Sequence, residues 1–536
     1  MRPYYLSDVD LAHMNHFLKI VLDRIGWTGP LAFSFLLKLY LSFQDLVINS
    51  DGVGYLQAAQ MIAEGHLAQS LLIYPMPAYP LLIAVVHTVV PDWILAAKLI
   101  SLCAAAAVTI PVYFLTAVLF DRKAAFYAAM AVAVLPSLND IAPDVIRDPC
   151  FLFLACSSVY WMVKASLAER IRGVFWAFVF GGAAILFRIE TISLFAAYLV
   201  YLAGLSVFSP ERRRFATKSL LWIVVPALIG MVGLAAVGST AEGYGRIDQM
   251  RELGRKLLSG SFLARYQHIY TYLKDSERLS PLPSGEFFKL ARHYMPLIYF
   301  IGILEAFLKS LFLPYAVSLW AARRYCRTVK GMPVVALVIL FHSLLVFVYF
   351  LQLDYLSSRY ILLSALLILP LVGRGIQILE NKCRQLRWQK TSLTILTIIF
   401  LALPLYRTIT SAMGEDTVIS QTGHWLSAQS KVRQAGWAVN DLRYYIYAGK
   451  QFNYLEEIPK AKTISRLLAE KNYGELENQV RKADKAVIII RTSKSASGFK
   501  PGFRHLRRIK QIESDQSIVT IYADPLIESP LLERSE

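Results

Sequence analysis

Four short segments of this 536-residue chain combine carboxylates, arginines and tyrosines at spacings that suit acid–base chemistry beside an anion. The first, Asn49-Ser50-Asp51-Gly52-Val53-Gly54-Tyr55, sets Asp51 ahead of a helical run, Leu56 to Glu64. A carboxylate there can take the proton of a hydroxyl nucleophile, and an Asp before a helix can equally be a plain N-cap. The second, Asn139 to Pro149, carries Asp140, Asp144, Arg147 and Asp148. Asp148 stands directly before Pro149, which fits helix initiation or a second acid that orients an acceptor, shares a metal or positions Arg147. The third, Phe187-Arg188-Ile189-Glu190, puts both signs of charge into the apolar run Val174 to Val207. Charges at that depth mark a function or a mutual pair, with a snorkelling turn as the alternative. The fourth, Ser357-Ser358-Arg359-Tyr360, offers an arginine whose paired donors suit a phosphate, although snorkelling alone would also place it there. Asp144, Glu190, Tyr55, His66 and Tyr360 complete the set of candidate cavity residues.

The elements that must position these residues follow from composition. The chain is 56% hydrophobic with a mean hydropathy of +0.45, more apolar than a water-soluble domain. Its apolar residues fall in blocks separated by short charged clusters, the pattern of repeated crossings of a hydrocarbon core about 30 Å thick. Spans are expected near 27–48, 93–119, 124–138, 149–166, 173–187, 191–208, 219–238, 296–320, 332–351, 359–379 and 391–411, about eleven in all. With the N-terminus inside, Arg122/Lys123, Arg170/Arg172, Arg212 to Lys218, Arg323 to Lys330 and Lys382 to Lys390 all fall on inner loops, as the positive-inside rule requires. The net charge of +18 therefore reads as orientation, and no nucleic-acid partner is expected. Met1 to Trp27 mixes acidic and basic residues and lacks a small-residue cleavage site, so the first span is expected to be retained. The five cysteines are scattered and give neither a disulfide framework nor a metal-ligand spacing.

One segment tests this threading. Tyr79 to Val90 is apolar but short, lies among Pro75, Pro77, Pro80 and Pro91, and has no flanking Lys or Arg. Were it a span, every later basic cluster would lie outside. It reads as an interfacial or re-entrant helix of the first outer loop. The expected organisation is a cytoplasmic N-terminus (1–26), an all-α polytopic membrane bundle (27–411) with outer loops 49–92 and 239–295, and a small extramembrane α/β domain (412–536). The tail alternates β-type runs, Ala486 to Ile490 and Ile518 to Tyr522, with helical runs, Thr463 to Glu470 and Gly474 to Ala483. All four candidate segments thereby reach the outer membrane level. A cavity lined by carboxylates and arginines suits transfer from a lipid phosphate, because the phosphate leaves without a protonating acid and needs only cations to stabilise its growing charge. What remains is a base for the acceptor, and Asp51 fits that role.

Asp51-x-x-x-Tyr55, Tyr74-Pro75-x-x-x-Tyr79-Pro80-Leu81-Leu82, Ala96-Ala97-Lys98 and Leu119-Phe120-Asp121-Arg122-Lys123 together resemble the C-type (GT-C) glycosyltransferase superfamily. Within it the likeness is to the protein O-mannosyltransferase, lipid A aminoarabinose transferase and rhizobial galacturonosyltransferase group. Ile146-Arg147-Asp148-Pro149, Leu186-Phe187-Arg188-Ile189-Glu190 and Arg359-Tyr360 fit later positions, so the likeness covers roughly residues 30–410. Trp425-Leu426 and Tyr445-x-Tyr447-Ala448-Gly449 look like the outer domain that many bacterial members append.

The resemblance implies an inverting transfer of a hexosyl or pentosyl group from a polyprenyl-phosphate donor to a hydroxyl of a lipid, glycan or protein of the cell envelope. Asp51 would be the catalytic acid of the first loop and Asp148 its second-loop partner, with Arg188, Arg359 and Arg147 on the donor phosphate. Many members have Asp-Glu where this chain has Asp51-Gly52; no cofactor is required, and a divalent metal is left open. The implied location is a bacterial inner (plasma) membrane, with the C-terminal domain periplasmic or extracellular. A multi-span transporter or lipid flippase is the rival reading, set back by the absence of an internal repeat and by charges gathered at one face. A second is a non-catalytic scaffold contacting an anion through Arg504 to Lys510. Loop 239–295, with Arg246, Arg251, Arg255, Lys256 and Arg265 among Tyr244, Tyr266, Tyr270 and Tyr272, reads equally as a cover for the cavity or as a helical lid on headgroups.

Overall fold

The computed structural model describes residues 26–45, 47–238, 255, 259, 261–280, 284–386, 388–412, 417–482, 486–494 and 502–525. Nearly all of the expected N-terminal segment, with Tyr244, Arg246, Arg251 and Lys256 of the long loop, lies outside the described residues. The chain divides into two compact units. One comprises Met1–Leu41, Lys98–Pro143 and Arg147–Thr410; the other comprises Ser42–Ala97, Asp144–Ile146 and Ser411–Glu536.

The first unit is a helical bundle. Every apolar block of the sequence that falls in it is helical, but backbone breaks beside prolines divide two of them. Phe312, at φ +68, and Pro314 divide the block 296–320 into Met295–Leu311 and Tyr315–Ala322, and the block 124–138 becomes Arg122–Ala133 and Pro136–Asn139. Six helices among the described residues are long and apolar enough to cross a membrane alone, and a seventh if Ser284–His293 and Met295–Leu311, bent by 63°, count as one. Helix length thus accounts for six or seven crossings of a multi-pass membrane protein where hydropathy suggests about eleven. Shorter helices such as Arg122–Ala133 survive because alanines let them pack inside the bundle: Ala124, Ala125, Ala128 and Ala129 are fully buried.

The central helix, Ser358–Arg384, is 83% buried over its apolar window. Glycines let its backbone meet its neighbours, since a Cβ at Gly373 would lie 2.3 Å from the Ala124 carbonyl oxygen and one at Gly375 would lie 1.9 Å from that of Ser318. Gly375→Ala is therefore expected to cost about 1–3 kcal/mol by overpacking, read as a lower heat-unfolding midpoint. Gly182→Ala, on a helix with nothing within 4 Å of the new Cβ, should lose nothing; equal behaviour of the two variants would contradict this packing account. By contrast Gln389–Ser411 is only 17% buried, leaving Ile395, Ile398 and Leu403 exposed as lipid would allow. In the long loop, helices Ala264–Leu279 and Ser284–His293 are joined by Arg292, which bonds Glu277 at 3.1 Å and the Tyr270 hydroxyl at 2.8 Å. Asp354 accepts from Arg265 at 2.6 Å and from the Tyr299 hydroxyl at 2.5 Å.

The second unit gathers the segment Ser42–Ala97, the short segment Asp144–Ile146 and the tail. Tyr79 to Val90 forms a ten-residue helix, Ala78–His87, about 15 Å long and too short to span. The tail holds a four-stranded sheet of β1 (Trp437–Val439), β2 (Val487–Ser493), β3 (Arg507–Glu513) and β4 (Ser517–Ala523) in the order β1-β2-β4-β3. Strands β1 and β2 are parallel and the other pairs antiparallel. Helices Tyr454–Ala469 and Tyr473–Lys482 supply Ile464, Leu467, Leu476 and Val480 to a core with Ile488, Ile490 and Tyr522. Sequence periodicity found β2, β4 and both helices. It missed the three-residue β1 and the strand β3. Arg507, Arg508 and Lys510 sit on that edge strand, where charge discourages pairing with another chain.

Glu477, 4% exposed, accepts backbone N–H bonds from Arg504 at 3.0 Å and His505 at 2.6 Å. Burial alone would raise its pKa, but these donors outweigh burial and hold it below its ordinary 4.5. A depressed carboxyl stabilises the fold above its unfolded value and loses that contribution as pH falls through the folded one. Hydrogen exchange of the Arg504 and His505 amides in the whole chain, corrected for intrinsic rate, should stay protected down to about pH 5 and lose protection below the ordinary carboxyl range. Protection unchanged through pH 3 would contradict that.

Candidate active site

In the helical unit the two helices that bracket the charged run end at one place. Helix Ile171–Ile185 stops three residues before Arg188, whose extended backbone (φ −145°, ψ 124°) opens the short turn Ile189–Thr191 before helix Ile192–Phe208. Asp148 begins helix Asp148–Ala168, with Pro149 in the first turn, where a carboxylate also complements the helix dipole. Arg188, 3% exposed, donates through Nη1 to Asp148 Oδ1 and through Nη2 to Glu190 Oε1 at 2.9 Å. Its guanidinium lies between two rings, 5.5 Å from the centroid of Phe151 and 4.8 Å from that of Tyr360. The buried Arg188 Nε has no hydrogen-bond partner among the described residues. Beside it opens a cavity of about 150 Å³ lined by Arg147, Arg188, Glu190, Tyr349 and Tyr360. Arg359 stacks on Tyr360 at 5.6 Å.

Sequence reasoning missed His342, which is 1% exposed. Its Nε2 lies 3.1 Å from the Tyr360 carbonyl oxygen; that oxygen can only accept, so Nε2 carries the proton. Its unprotonated Nδ1 is 3.4 Å from Ser193 Oγ, whose single proton points to the Glu190 carbonyl at 2.7 Å. The imidazole thus bonds the Tyr360 backbone and lies against the serine that holds the turn carrying Glu190. The available signal was one imidazole in the largely apolar run Met332–Leu353.

Asp51 belongs to the other unit. It is the second residue of helix Ser50–Ala63 and its side chain is exposed. The backbone just before that helix is clamped from the tail: Arg443 Nη1 donates to the Ile48 carbonyl at 3.1 Å, and the Ile48 N–H donates to the Tyr447 hydroxyl at 2.7 Å. Arg443 is itself held by Asp441 at 2.5 Å. Tyr454 lies over Gly54, where a Cβ would come within 3.0 Å of its hydroxyl. Burial raises the Tyr454 phenol pKa, and the negative charge of Asp51 raises it further. A cavity of about 340 Å³ lies beside Ser50, Val53, Asp441, Tyr454 and Lys462. A Cβ at Gly52 would meet Asn49 Oδ1 at 2.9 Å and Val145 Cβ at 3.0 Å, so there is no room here for a second acid after Asp51.

Of the candidates, Arg147, Arg188, Glu190 and Tyr360 line one cavity, with Asp148 bonded to Arg188 and Arg359 against Tyr360. Asp51, Tyr55, His66 and Asp144 belong to the second unit. Tyr55 is buried between the rings of Tyr74 and Tyr79, at 4.7 and 5.1 Å, a packing position. His66 is exposed ahead of helix Leu67–Ile73, and Asp144 is half-buried in the segment Asp144–Ile146. Among the described residues, no group of three or more His, Cys, Asp or Glu side chains could hold a metal ion.

Residues 74–237 match the family model of the dolichyl-phosphate-mannose-protein mannosyltransferases. The structure is similar to that of ArnT from Cupriavidus metallidurans bound to undecaprenyl phosphate, with a TM-score of 0.51 and 13% identity over 93% of this chain and 98% of that one. It is also similar to the oligosaccharyltransferase of Archaeoglobus fulgidus tethered to an acceptor peptide, with a TM-score of 0.53 and 12% identity over 88% of this chain and 70% of that one. No curated protein matches by sequence.

Proposed function

We propose that this chain, which has the fold of the C-type glycosyltransferase superfamily, transfers a hexosyl or pentosyl group from a polyprenyl-phosphate donor to a hydroxyl of a cell-envelope acceptor, with inversion. The observation that carries this reading is Arg188: a buried guanidinium with one unpartnered N–H beside a cavity that Arg147 also lines. A buried polar atom without a partner is costly, and a phosphate oxygen would satisfy it. Asp148 and Glu190 already occupy the two ends of Arg188, so Arg188 supplies Nε and holds the site's shape. Arg147 and Arg359 supply the remaining charge. Together they stabilise the phosphate as the bond to the anomeric carbon breaks, while Asp51 accepts the proton of the attacking hydroxyl. Asp148 acts through Arg188 as a positioning residue. The fold family's binding of undecaprenyl phosphate by ArnT supports the donor class.

Undecaprenyl phosphate should raise the heat-unfolding midpoint of the wild type and raise it much less in an Arg147→Ala/Arg359→Ala double variant. Equal shifts in both would remove these arginines from the phosphate site. The proposed setting is a bacterial inner membrane with the tail outside. A reporter fused after Ala412 should be active only when it is exported, and activity on the cytoplasmic side would invert the topology.

A further inference from the structure

The unit that carries Asp51 has a second cavity of about 340 Å³, lined by Gln57 and Gln60, by Asp92 and Trp93, and by Gln451 and Phe452. Its chemistry is unlike that of the arginine cavity. No arginine lines it, and the lysine at its edge, Lys450, donates to the Arg433 and Ala435 carbonyls at 2.5 and 2.7 Å, with its ammonium 4.7 Å over the Trp437 ring. Asp92 caps the Leu95 N–H at 2.7 Å. Gln57, 8% exposed, donates from Nε2 to Gln60 Oε1 at 2.8 Å, the one side-chain hydrogen bond of either amide among the described residues. That bond leaves the Gln57 carbonyl as an acceptor and the Gln60 amino group as a donor side by side. The rings around them are fixed: Trp93 stacks on His87 at 3.5 Å and Phe452 on Tyr445 at 4.6 Å.

A paired donor and acceptor match the neighbouring hydroxyls of a pyranose, and immobilised aromatic rings suit its C–H surface. We propose that this cavity is a subsite for a neutral sugar residue of the acceptor, an inference that rests on the glycosyl-transfer reading above. Gln57 and Gln60 lie on the same continuous helix as Asp51, Ser50–Ala63, about 9 and 13 Å further along its axis at 1.5 Å per residue. The sugar seated there is therefore not the one whose hydroxyl reaches Asp51. The acceptor is a glycan or glycolipid of at least two sugar residues, and neither a bare polypeptide hydroxyl nor an unglycosylated lipid fills the subsite.

The test uses the full chain in detergent and, as probe, tritium-labelled oligosaccharides released from the cell envelope by mild acid. In equilibrium dialysis the wild type should retain the probe, and Gln60→Ala and Gln451→Ala should bind it about tenfold more weakly, as expected for losing hydrogen bonds to a neutral ligand. In the transfer reaction the same variants should raise the half-saturating acceptor concentration about tenfold and leave that of the donor within twofold. Equal retention by wild type and variants, or retention by none of them, overturns the subsite. A wild type that retains the probe yet transfers no sugar would instead remove the glycosyl-transfer reading and leave the subsite standing.

Discussion

Replacing Asp51 by Asn is expected to lower sugar transfer by about 10²- to 10⁴-fold, the contribution of a positioned general base, while the protein stays folded. The side chain is exposed in the first turn of its helix, whose N-cap is Asn49, and Asn keeps its size. Clamping of the Ile48 backbone by Arg443 and Tyr447 does not involve the Asp51 side chain. The loss should therefore appear in the rate at saturating donor and acceptor, with an unchanged heat-unfolding midpoint. Full activity of Asp51→Asn would take the base assignment away from this residue. A role confined to the helix dipole would give the opposite pattern, a small stability change and no rate change.

Replacing Arg188 by Met is expected to have the largest effect on stability. The guanidinium is 3% exposed and holds two carboxylates, with Asp148 only 4% exposed. Removing one partner leaves buried charges uncompensated, at about 3–5 kcal/mol. The same physics predicts a partial rescue. Exchanging all three groups for apolar ones, in Arg188→Met/Asp148→Leu/Glu190→Leu, should recover most of the unfolding midpoint, because a buried ion network is often no more stable than well-packed apolar side chains. Transfer should remain absent in the triple variant, since the proposed phosphate site would lose Arg188. Recovery of both stability and transfer would show that the network is structural only. A triple variant as unstable as Arg188→Met would contradict the charge-compensation account.

Much of this was legible in the sequence, for identifiable physical reasons. A mixed-charge interruption in an apolar run points to a function or a mutual pair, with a snorkelling turn as the alternative, and in Phe187-Arg188-Ile189-Glu190 the arginine does pair with Glu190. The short proline-bounded segment at Tyr79 announced a helix too short to cross, and helix Ala78–His87 is one. Hidden from the sequence were contacts between residues far apart in the chain. Nothing near Ile48 indicates that Arg443, 395 residues away, holds its carbonyl, and nothing near Tyr360 indicates that His342 bonds its carbonyl beside Ser193. Hydropathy also suggests about eleven spans, whereas six helices among the described residues, or seven with the bent pair, are long and apolar enough to cross alone. Hydropathy sums apolarity without the backbone breaks at Phe312 and Pro136, and it cannot tell an alanine-rich helix buried in protein from one facing lipid. The edge strand β3 escaped because its charges, placed for solubility, mask the alternation that marks a strand.

The most direct measurement of the central claim is transfer of a radiolabelled sugar by the purified full chain, reconstituted in liposomes, with an envelope extract as acceptor. Undecaprenyl-phosphate sugars and nucleotide sugars would be compared as donors. The account predicts transfer from at least one undecaprenyl-phosphate sugar, with the anomeric configuration inverted in the product, and none from nucleotide sugars. Transfer from nucleotide sugars with none from any polyprenyl-phosphate donor would contradict it.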